Sequence, residues 1–272
     1  MNTESATDPP PLRFTFAETY ERSLVEPLFR PWVDGLLDRA QLAPGDRLLD
    51  LASGTGIVAR LARERVVSGG RRMVGVDLSP QMLAVGSRLA PDVAWCQASA
   101  VALPFTSGTF DVLVCQQGLQ FFPDRLAAVR EMHRVLKAGG RAIAATWRAL
   151  DEMPLLLALH ASAERHLGPV ADRRHSLADG GALERLFVEA GFHDVRVGTV
   201  SKTIHFDDAA AFIRLNAMAL VGMSQASQTM SEEDRARLIE AIAADSIETI
   251  RPYAGPESLA FAMSTNVAAA RV

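Results

Sequence analysis

The fold of this 272-residue chain is decided by one short segment, in which a stretch typical of a buried strand passes into a stretch typical of a helix. The segment reads Asp50-Leu51-Ala52-Ser53-Gly54-Thr55-Gly56. Its two glycines let the backbone turn tightly and approach a ligand that a Cβ atom would exclude. The free amides at the start of the following helix favour a negatively charged group. The sequence therefore predicts a ligand-binding turn at the end of a strand.

Strand and helix patterns alternate on both sides of this turn. Strands are predicted at 47–51, 73–77, 93–96, 110–115 and 141–147, with helices at 57–67, 80–89 and 125–137 between them. This alternation predicts a parallel sheet with helices on both faces. Outside this region, the pattern predicts helices at 14–43, 153–167, 181–190, 209–222 and 232–249, and strands at 195–206 and 259–272.

An acidic residue follows the turn at a spacing that suits a nucleoside ligand. Asp77 ends the second predicted strand, about twenty residues after Gly56, where a carboxylate accepts hydrogen bonds from both hydroxyls of a ribose. The dinucleotide fingerprint accepts Ala59 at its third position, so an NAD-dependent dehydrogenase remains an alternative. However, Asp50 would repel a pyrophosphate. An acid at that position favours a ligand with a cationic centre, such as S-adenosylmethionine.

Four segments, taken in order, resemble the motifs of class I S-adenosylmethionine-dependent methyltransferases, in the UbiE-like branch that acts on small molecules. They are residues 48–56, 74–83, 102–105 with 110–115, and 122–124 with 135–140. The resemblance implies a doubly wound, Rossmann-like α/β fold. It also implies a seven-stranded, mostly parallel sheet whose last strand is antiparallel, with added helical lid and cap segments.

The resemblance also implies S-adenosylmethionine as cofactor and a set of residues that bind it. In the family the turn surrounds the methionine part, the acid at 77 holds the ribose, and apolar side chains cover the adenine. Ser99 stands where this branch usually has an acid, so a bond to the adenine amine would have roughly half the charge-assisted strength. The matching positions are Asp50, Ala52, Ser53, Gly54, Gly56, Asp77, Leu78, Met82, Ser99, Ala100 and Gln116.

No catalytic residue is fixed by the sequence. Many relatives have a histidine after the fourth strand, but this chain has Gln120, and glutamine is not a base near neutral pH. For each histidine elsewhere, a surface or structural role is the simpler alternative. The candidates are His160, His175, His205, Gln120 and Tyr20. An apolar acceptor pocket is predicted to be lined by Phe16, Tyr20, Phe121, Phe122, Trp147, Met218 and Met223.

Composition narrows the partners. The net charge of -4 lacks the basic footprint of a nucleic-acid-binding protein. We therefore expect a small-molecule acceptor, methylated on O, N or C, and no nucleic acid. No apolar run is long enough to span a membrane, which favours a cytoplasmic location. Cys96 and Cys115, predicted on neighbouring buried strands, are too few for a disulfide framework or a zinc cluster, so no metal is expected.

The chain is interpreted as one catalytic domain with additions. Residues 1–43 are predicted to form a flexible arm, at 1–13, and a helical lid. Residues 44–272 form the cofactor-binding domain, with cap insertions at about 149–180 and 207–250. Caps of this kind often support a homodimer. Two alternatives for function stay open: non-methylating chemistry on the same fold, such as a cyclase or decarboxylase, and a cofactor-binding protein without turnover.

Overall fold

The computed structural model describes residues 15–66, 72–255 and 258–272, and the predicted arm at 1–13 lies outside them. Within these residues, the strands are β1 (Leu48–Leu51), β2 (Met73–Asp77), β3 (Ala94–Gln97), β4 (Phe110–Gln116), β5 (Leu136–Trp147), β6 (His193–Phe206) and β7 (Leu259–Arg271). They form one sheet in the order β3-β2-β1-β4-β5-β7-β6. Strands β1 to β5 are parallel, and β7 is antiparallel to both β5 and β6. The predicted fold class is confirmed.

Helices cover both faces of the sheet. They are α1 (Phe16–Tyr20), α2 (Arg30–Arg39), α3 (Ile57–Arg65), α4 (Pro80–Leu89), α5 (Arg125–Val135), α6 (Pro154–Leu167), α7 (Gly180–Glu189), α8 (Ala209–Met223) and α9 (Glu232–Ile250). On one face, Leu49 and Leu51 of β1 pack in a core with side chains of α5 and α7. On the other, Leu48 packs with side chains of α2 and α3. Side chains alternate along a strand, so Asp50 also points toward the α3 face.

Two predictions about the sheet were wrong. Helix α5 ends at Val135, and β5 begins at Leu136 rather than at 141. Leu136 is buried and pairs with Phe110 across a register shift, which brings this residue into the sheet early. Cys96 and Cys115 are not on neighbouring strands, because β2 and β1 lie between β3 and β4.

The lid predicted at the N-terminus is a continuous helical segment, Phe16–Arg39, in which a π-helical stretch, Glu21–Phe29, joins α1 to α2. Pro27 lies inside this stretch and has no N–H to donate, which favours a wider, irregular turn. Side chains from the sheet bind the carbonyls near its end. The Gln116 amide donates to the Phe29 carbonyl at 2.8 Å, and Lys202 donates to the Pro31 carbonyl at 2.6 Å.

Helices α6, α8 and α9 pack together above the carboxyl ends of the parallel strands, and we call these three helices the cap. Their apolar residues continue the core that surrounds Trp32 and Trp147. Both tryptophan rings meet edge to face, with centroids 5.5 Å apart. In the described part of the chain, no helix combines the length and apolar character needed to cross a membrane.

Candidate active site

The turn after β1 and the end of β2 are joined by the carboxylate of Asp77. One oxygen accepts the Gly54 amide at 2.8 Å, and the other accepts the Ser79 amide at 2.8 Å. Ser79 also caps α4 by accepting the Met82 amide at 3.3 Å. Each carboxylate oxygen keeps a further acceptor site. Asp77 is therefore fixed by its own backbone neighbours and can still receive two donors from the cavity that it lines.

A cavity of about 650 Å³ extends from this turn to the cap. It brings together eight of the eleven residues predicted to bind the cofactor, while Asp50, Ser53 and Gly56 do not line it. Six of the seven predicted apolar wall residues also line it, and Met218 does not. The eight cofactor positions at its wall are Ala52, Gly54, Asp77, Leu78, Met82, Ser99, Ala100 and Gln116.

Gln116 presents an unused hydrogen-bond acceptor at this wall. Its amide nitrogen is held by the Phe29 carbonyl, which fixes the orientation of the side chain. Its Oε1 atom is buried and has no hydrogen-bond partner among the described residues. Such an atom costs free energy unless a bound molecule supplies a donor. The site therefore suits a ligand that carries an ammonium or hydroxyl group at this point.

Asp50 lies behind the turn rather than at the cavity wall. Its carboxyl is 1% exposed and accepts the Ala59 amide of α3 at 3.0 Å. Burial raises its pKa to about 7, and the negative charge of Asp77 adds to this effect. The hydrogen bond gives this acid a structural function at the start of α3. Any effect on a bound ammonium would act through the turn.

The glycine at 56 makes room for a side chain of the protein. A Cβ atom there would lie 2.1 Å from Cη2 of Trp95, and Cβ atoms at Gly75 and Gly86 would lie 2.4 and 2.8 Å from the same indole ring. By contrast, a Cβ atom at Gly54 would lie no closer than 3.7 Å to Tyr20. Of the two glycines in the turn, only Gly54 faces the cavity. Sequence reasoning missed this division, although three glycines and one tryptophan on nearby elements are visible in the sequence.

The structure separates the five catalytic candidates. Tyr20 and His175 line the cavity, and burial raises the pKa of the Tyr20 phenol, so that it stays protonated. His160 lies outside the cavity wall, with Nε2 3.3 Å from Glu164. Gln120 is buried and donates to the side chain of a neighbouring glutamine.

His205 is exposed on β6 and does not line the cavity. Side chains alternate between the two faces of the sheet along β6, and the His205 side chain lies on the solvent side. His205 therefore lies apart from the cavity that Tyr20 and His175 line.

The upper part of the cavity, beneath the cap, has mainly apolar walls. Polar groups are concentrated in one place, at Arg174, His175 and Asn216. The Arg174 guanidinium donates to Asn216 at 2.9 Å and to the Asp172 carboxylate at 2.6 Å. The remaining walls include Leu24, Leu28, Phe29, Trp147, Leu156, Phe212, Leu215, Ala219, Met223 and Met263.

Comparison with known proteins assigns the family. A methyltransferase domain matches residues 49–144. The ubiquinone/menaquinone biosynthesis C-methyltransferase UbiE of Xanthomonas campestris pv. campestris is 35% identical over 188 residues, which cover 61% of this chain and 73% of that protein. The chain belongs to the UbiE branch of the class I S-adenosylmethionine-dependent methyltransferases.

Solved structures agree on the fold. The YcgJ protein of Bacillus subtilis superposes with a TM-score of 0.57 at 22% identity, over 88% of this chain and 97% of that one. The phosphoethanolamine N-methyltransferase 2 of Haemonchus contortus, in complex with S-adenosyl-L-methionine, gives a TM-score of 0.56 at 17% identity, over 93% and 55% of the two chains. These structures show the fold, and membership of the family confirms the prediction that this protein is an enzyme that transfers a methyl group from S-adenosylmethionine to a small-molecule acceptor.

Proposed function

We propose that the protein methylates a carbon atom of an apolar ring compound, with the cofactor in the lower part of the cavity and the acceptor beneath the cap. The observation that carries the proposal is that one continuous cavity joins the Asp77 turn to the apolar walls of the cap. A donor and an acceptor that bind in one cavity meet the first requirement of an in-line displacement, which is alignment of the reacting groups.

The lower part offers one group for each part of S-adenosylmethionine. Asp77 has two free acceptor sites for the ribose hydroxyls, one on each carboxylate oxygen. Its bonds to Gly54 and Ser79 fix its position. The free Oε1 of Gln116 suits the ammonium of the methionine part. Leu78 and Met82 line the wall on the adenine side. The bound cofactor would supply the reactive methyl group.

The upper part favours a largely apolar acceptor with few polar groups. Its walls are leucine, phenylalanine, tryptophan and methionine side chains, and a long apolar molecule would bury most of its surface there. The relative from Xanthomonas campestris is named as a C-methyltransferase of ubiquinone/menaquinone biosynthesis, which supports a ring carbon as the methylated atom. Because the N-terminal helical segment and the cap both line the cavity, an extended polymer such as nucleic acid fits this site poorly.

The cofactor part of the proposal is tested by calorimetry with S-adenosylhomocysteine. Asp77→Ala removes the acceptor of two ribose hydroxyls, each worth about 1.5–3 kcal/mol when the acceptor is charged. Kd is therefore expected to rise about 10²- to 10⁴-fold. Asp77→Asn keeps one acceptor oxygen, so its Kd should lie between those of the wild type and Asp77→Ala. Asp151→Ala, at an exposed position of the short 3₁₀ helix Leu150–Glu152, is the control and should bind as the wild type does. Equal affinity in all four proteins would contradict the assignment.

The acceptor part is tested with methyl-labelled S-adenosylmethionine and 2-octyl-1,4-dihydroxynaphthalene, kept reduced during the assay. The expected product carries the label on the ring carbon, and S-adenosylhomocysteine is released in equal amount. A product formed without S-adenosylhomocysteine would favour non-methylating chemistry instead. Cofactor binding without any product from ring acceptors would contradict the proposed acceptor class while leaving the cofactor site intact.

A further inference from the structure

The imidazole of His175 has a defined protonation pattern. Its side chain is 7% exposed, and Nδ1 lies 2.7 Å from the backbone carbonyl oxygen of Arg148, immediately after β5. A carbonyl oxygen can only accept a hydrogen bond, so Nδ1 carries the proton. In the neutral ring, Nε2 then has a free lone pair. His175 is thus oriented by the backbone as a hydrogen-bond acceptor and a base.

That lone pair is available to a molecule in the cavity. Among the described residues, Nε2 has no hydrogen-bond partner. An oxygen of Asp172 lies 3.9 Å away, which is beyond hydrogen-bonding distance. The same oxygen is already bound by the Arg174 guanidinium at 2.6 Å. Because His175 also lines the cavity, its free nitrogen can meet a polar group of the acceptor.

Burial is the largest effect on the pKa of His175 and lowers it, whereas the hydrogen bond to the Arg148 carbonyl raises it. Asp172 favours the protonated form, whereas Arg174 and His160 oppose it. The net result is a pKa of His175 below its ordinary value, which favours the neutral ring. A neutral imidazole with a lowered pKa stays a competent base through the neutral range and loses this ability only in acid.

His175 is held firmly next to the loop after β4. The loop's carbonyl groups accept hydrogen bonds from the segment around His175: Arg173 donates to the Phe121 carbonyl at 2.7 Å, and the Ser176 hydroxyl donates to the Gln120 carbonyl at 2.9 Å. Arg125 of α5 donates to the same Ser176 hydroxyl at 2.7 Å. The loop after β4 has the buried Gln120 in place of a base. The segment around His175 therefore places a base beside this loop.

We propose that His175 is the general base of this enzyme and that it takes the proton from a hydroxyl group on the ring of the acceptor. The proposal rests on the proposed function. Nε2 takes the hydroxyl proton, and the electron pair left on oxygen raises the nucleophilicity of the adjacent ring carbon. This carbon forms a bond to the methyl group while the carbon–sulfur bond breaks, and the bonding pair stays on sulfur. The ring carbon then loses its proton to solvent, and the imidazolium returns its proton to oxygen.

The test uses His175→Asn, because the asparagine amide can still donate to the Arg148 carbonyl but has no basic nitrogen. His193→Asn, at an exposed position of β6, is the matched control. All three proteins are assayed with S-adenosylmethionine and 2-octyl-1,4-dihydroxynaphthalene between pH 5 and pH 10. Calorimetry with S-adenosylhomocysteine and thermal unfolding are measured in parallel, and they show whether fold and cofactor site are intact.

We expect His175→Asn to bind S-adenosylhomocysteine as the wild type does and to lose about 10²- to 10³-fold in kcat at pH 7. Its rate should rise tenfold per pH unit up to the pKa of the naphthol, since only acceptor that has ionised unaided can react. The wild type and His193→Asn should instead be flat above neutral pH and decline in acid. Wild-type turnover with an unchanged kcat and pH profile in His175→Asn would overturn the function of His175 alone. A wild type that binds S-adenosylhomocysteine but never methylates the naphthol would overturn the acceptor class as well.

Discussion

The two glycines of the turn should respond differently to the same substitution, because one faces a tryptophan and the other faces the cavity. In Gly56→Ala, the new Cβ would lie 2.1 Å from Cη2 of Trp95, and the backbone has φ +84°. The left-handed conformation costs about 1–2 kcal/mol for a residue with a Cβ atom, and forcing the indole to move adds about 1–3 kcal/mol. The free energy of unfolding should therefore fall by about 2–5 kcal/mol.

A double-mutant cycle with Trp95→Leu separates the two contributions. Leucine is shorter than the indole, so Gly56→Ala in this background should cost only the left-handed backbone term, about 1–2 kcal/mol. The free energies are measured by urea denaturation of the four proteins. Gly54→Ala is the control: its φ is +55° and its nearest contact is 3.7 Å. It should lose about 1–2 kcal/mol of stability but bind S-adenosylhomocysteine more weakly. If Gly56→Ala costs no more stability than Gly54→Ala, or costs the same with and without the indole, Trp95 does not require a glycine at position 56.

Two further predictions concern buried polar groups. The folded pKa of Asp50, about 7, exceeds that of an unfolded aspartate, so its contribution to stability is present below pH 4 and is lost as the pH rises to 7. In urea denaturation, Asp50→Asn should therefore match the stability of the wild type near pH 4 and exceed it at pH 8 by at most about 4 kcal/mol. A difference in stability that does not change with pH would contradict this prediction. Gln116→Met removes the donor to the Phe29 carbonyl and should raise hydrogen exchange across 21–39 about tenfold, whereas Gln97→Met, which loses an exposed bond, should not.

The sheet and its cofactor-binding edge could be predicted from local patterns. Each strand of the βαβ units is a short apolar run, and each following helix has a visible start, such as Ser79 before Pro80. The carboxyl ends of neighbouring parallel strands must meet, which brings Asp77 to the turn at Gly54. The predicted boundary between α5 and β5 was wrong because packing outweighed the local sequence signals. At β5, the buried Leu136 joins the sheet ahead of the glycines that suggested a break.

The function of Gly56 could not be predicted from its own neighbourhood in the sequence. A glycine in a cofactor motif suggests close approach of the ligand, but the atom that occupies its space belongs to Trp95, on β3. Which side chain fills a gap depends on how helices and strands pack, and no periodicity encodes it. Asp50 is similar: the sequence places it at the turn, whereas the alternation of side chains along β1 turns it toward α3.

The acceptor half of the site is harder to predict than the cofactor half for a physical reason. Cofactor-binding groups follow strand ends, so their positions are fixed once the order of parallel strands is known. The positions of the polar side chains beneath the cap instead depend on contacts between segments that are far apart in the sequence. His175 acquires its orientation from the Arg148 carbonyl, and Arg174 is positioned by Asn216 of α8, 42 residues away. Such contacts arise only after the cap has packed. From the sequence alone, several histidines are therefore equivalent candidates for a base. The hydrogen bond to the Arg148 carbonyl, which can only accept, distinguishes His175 from the others.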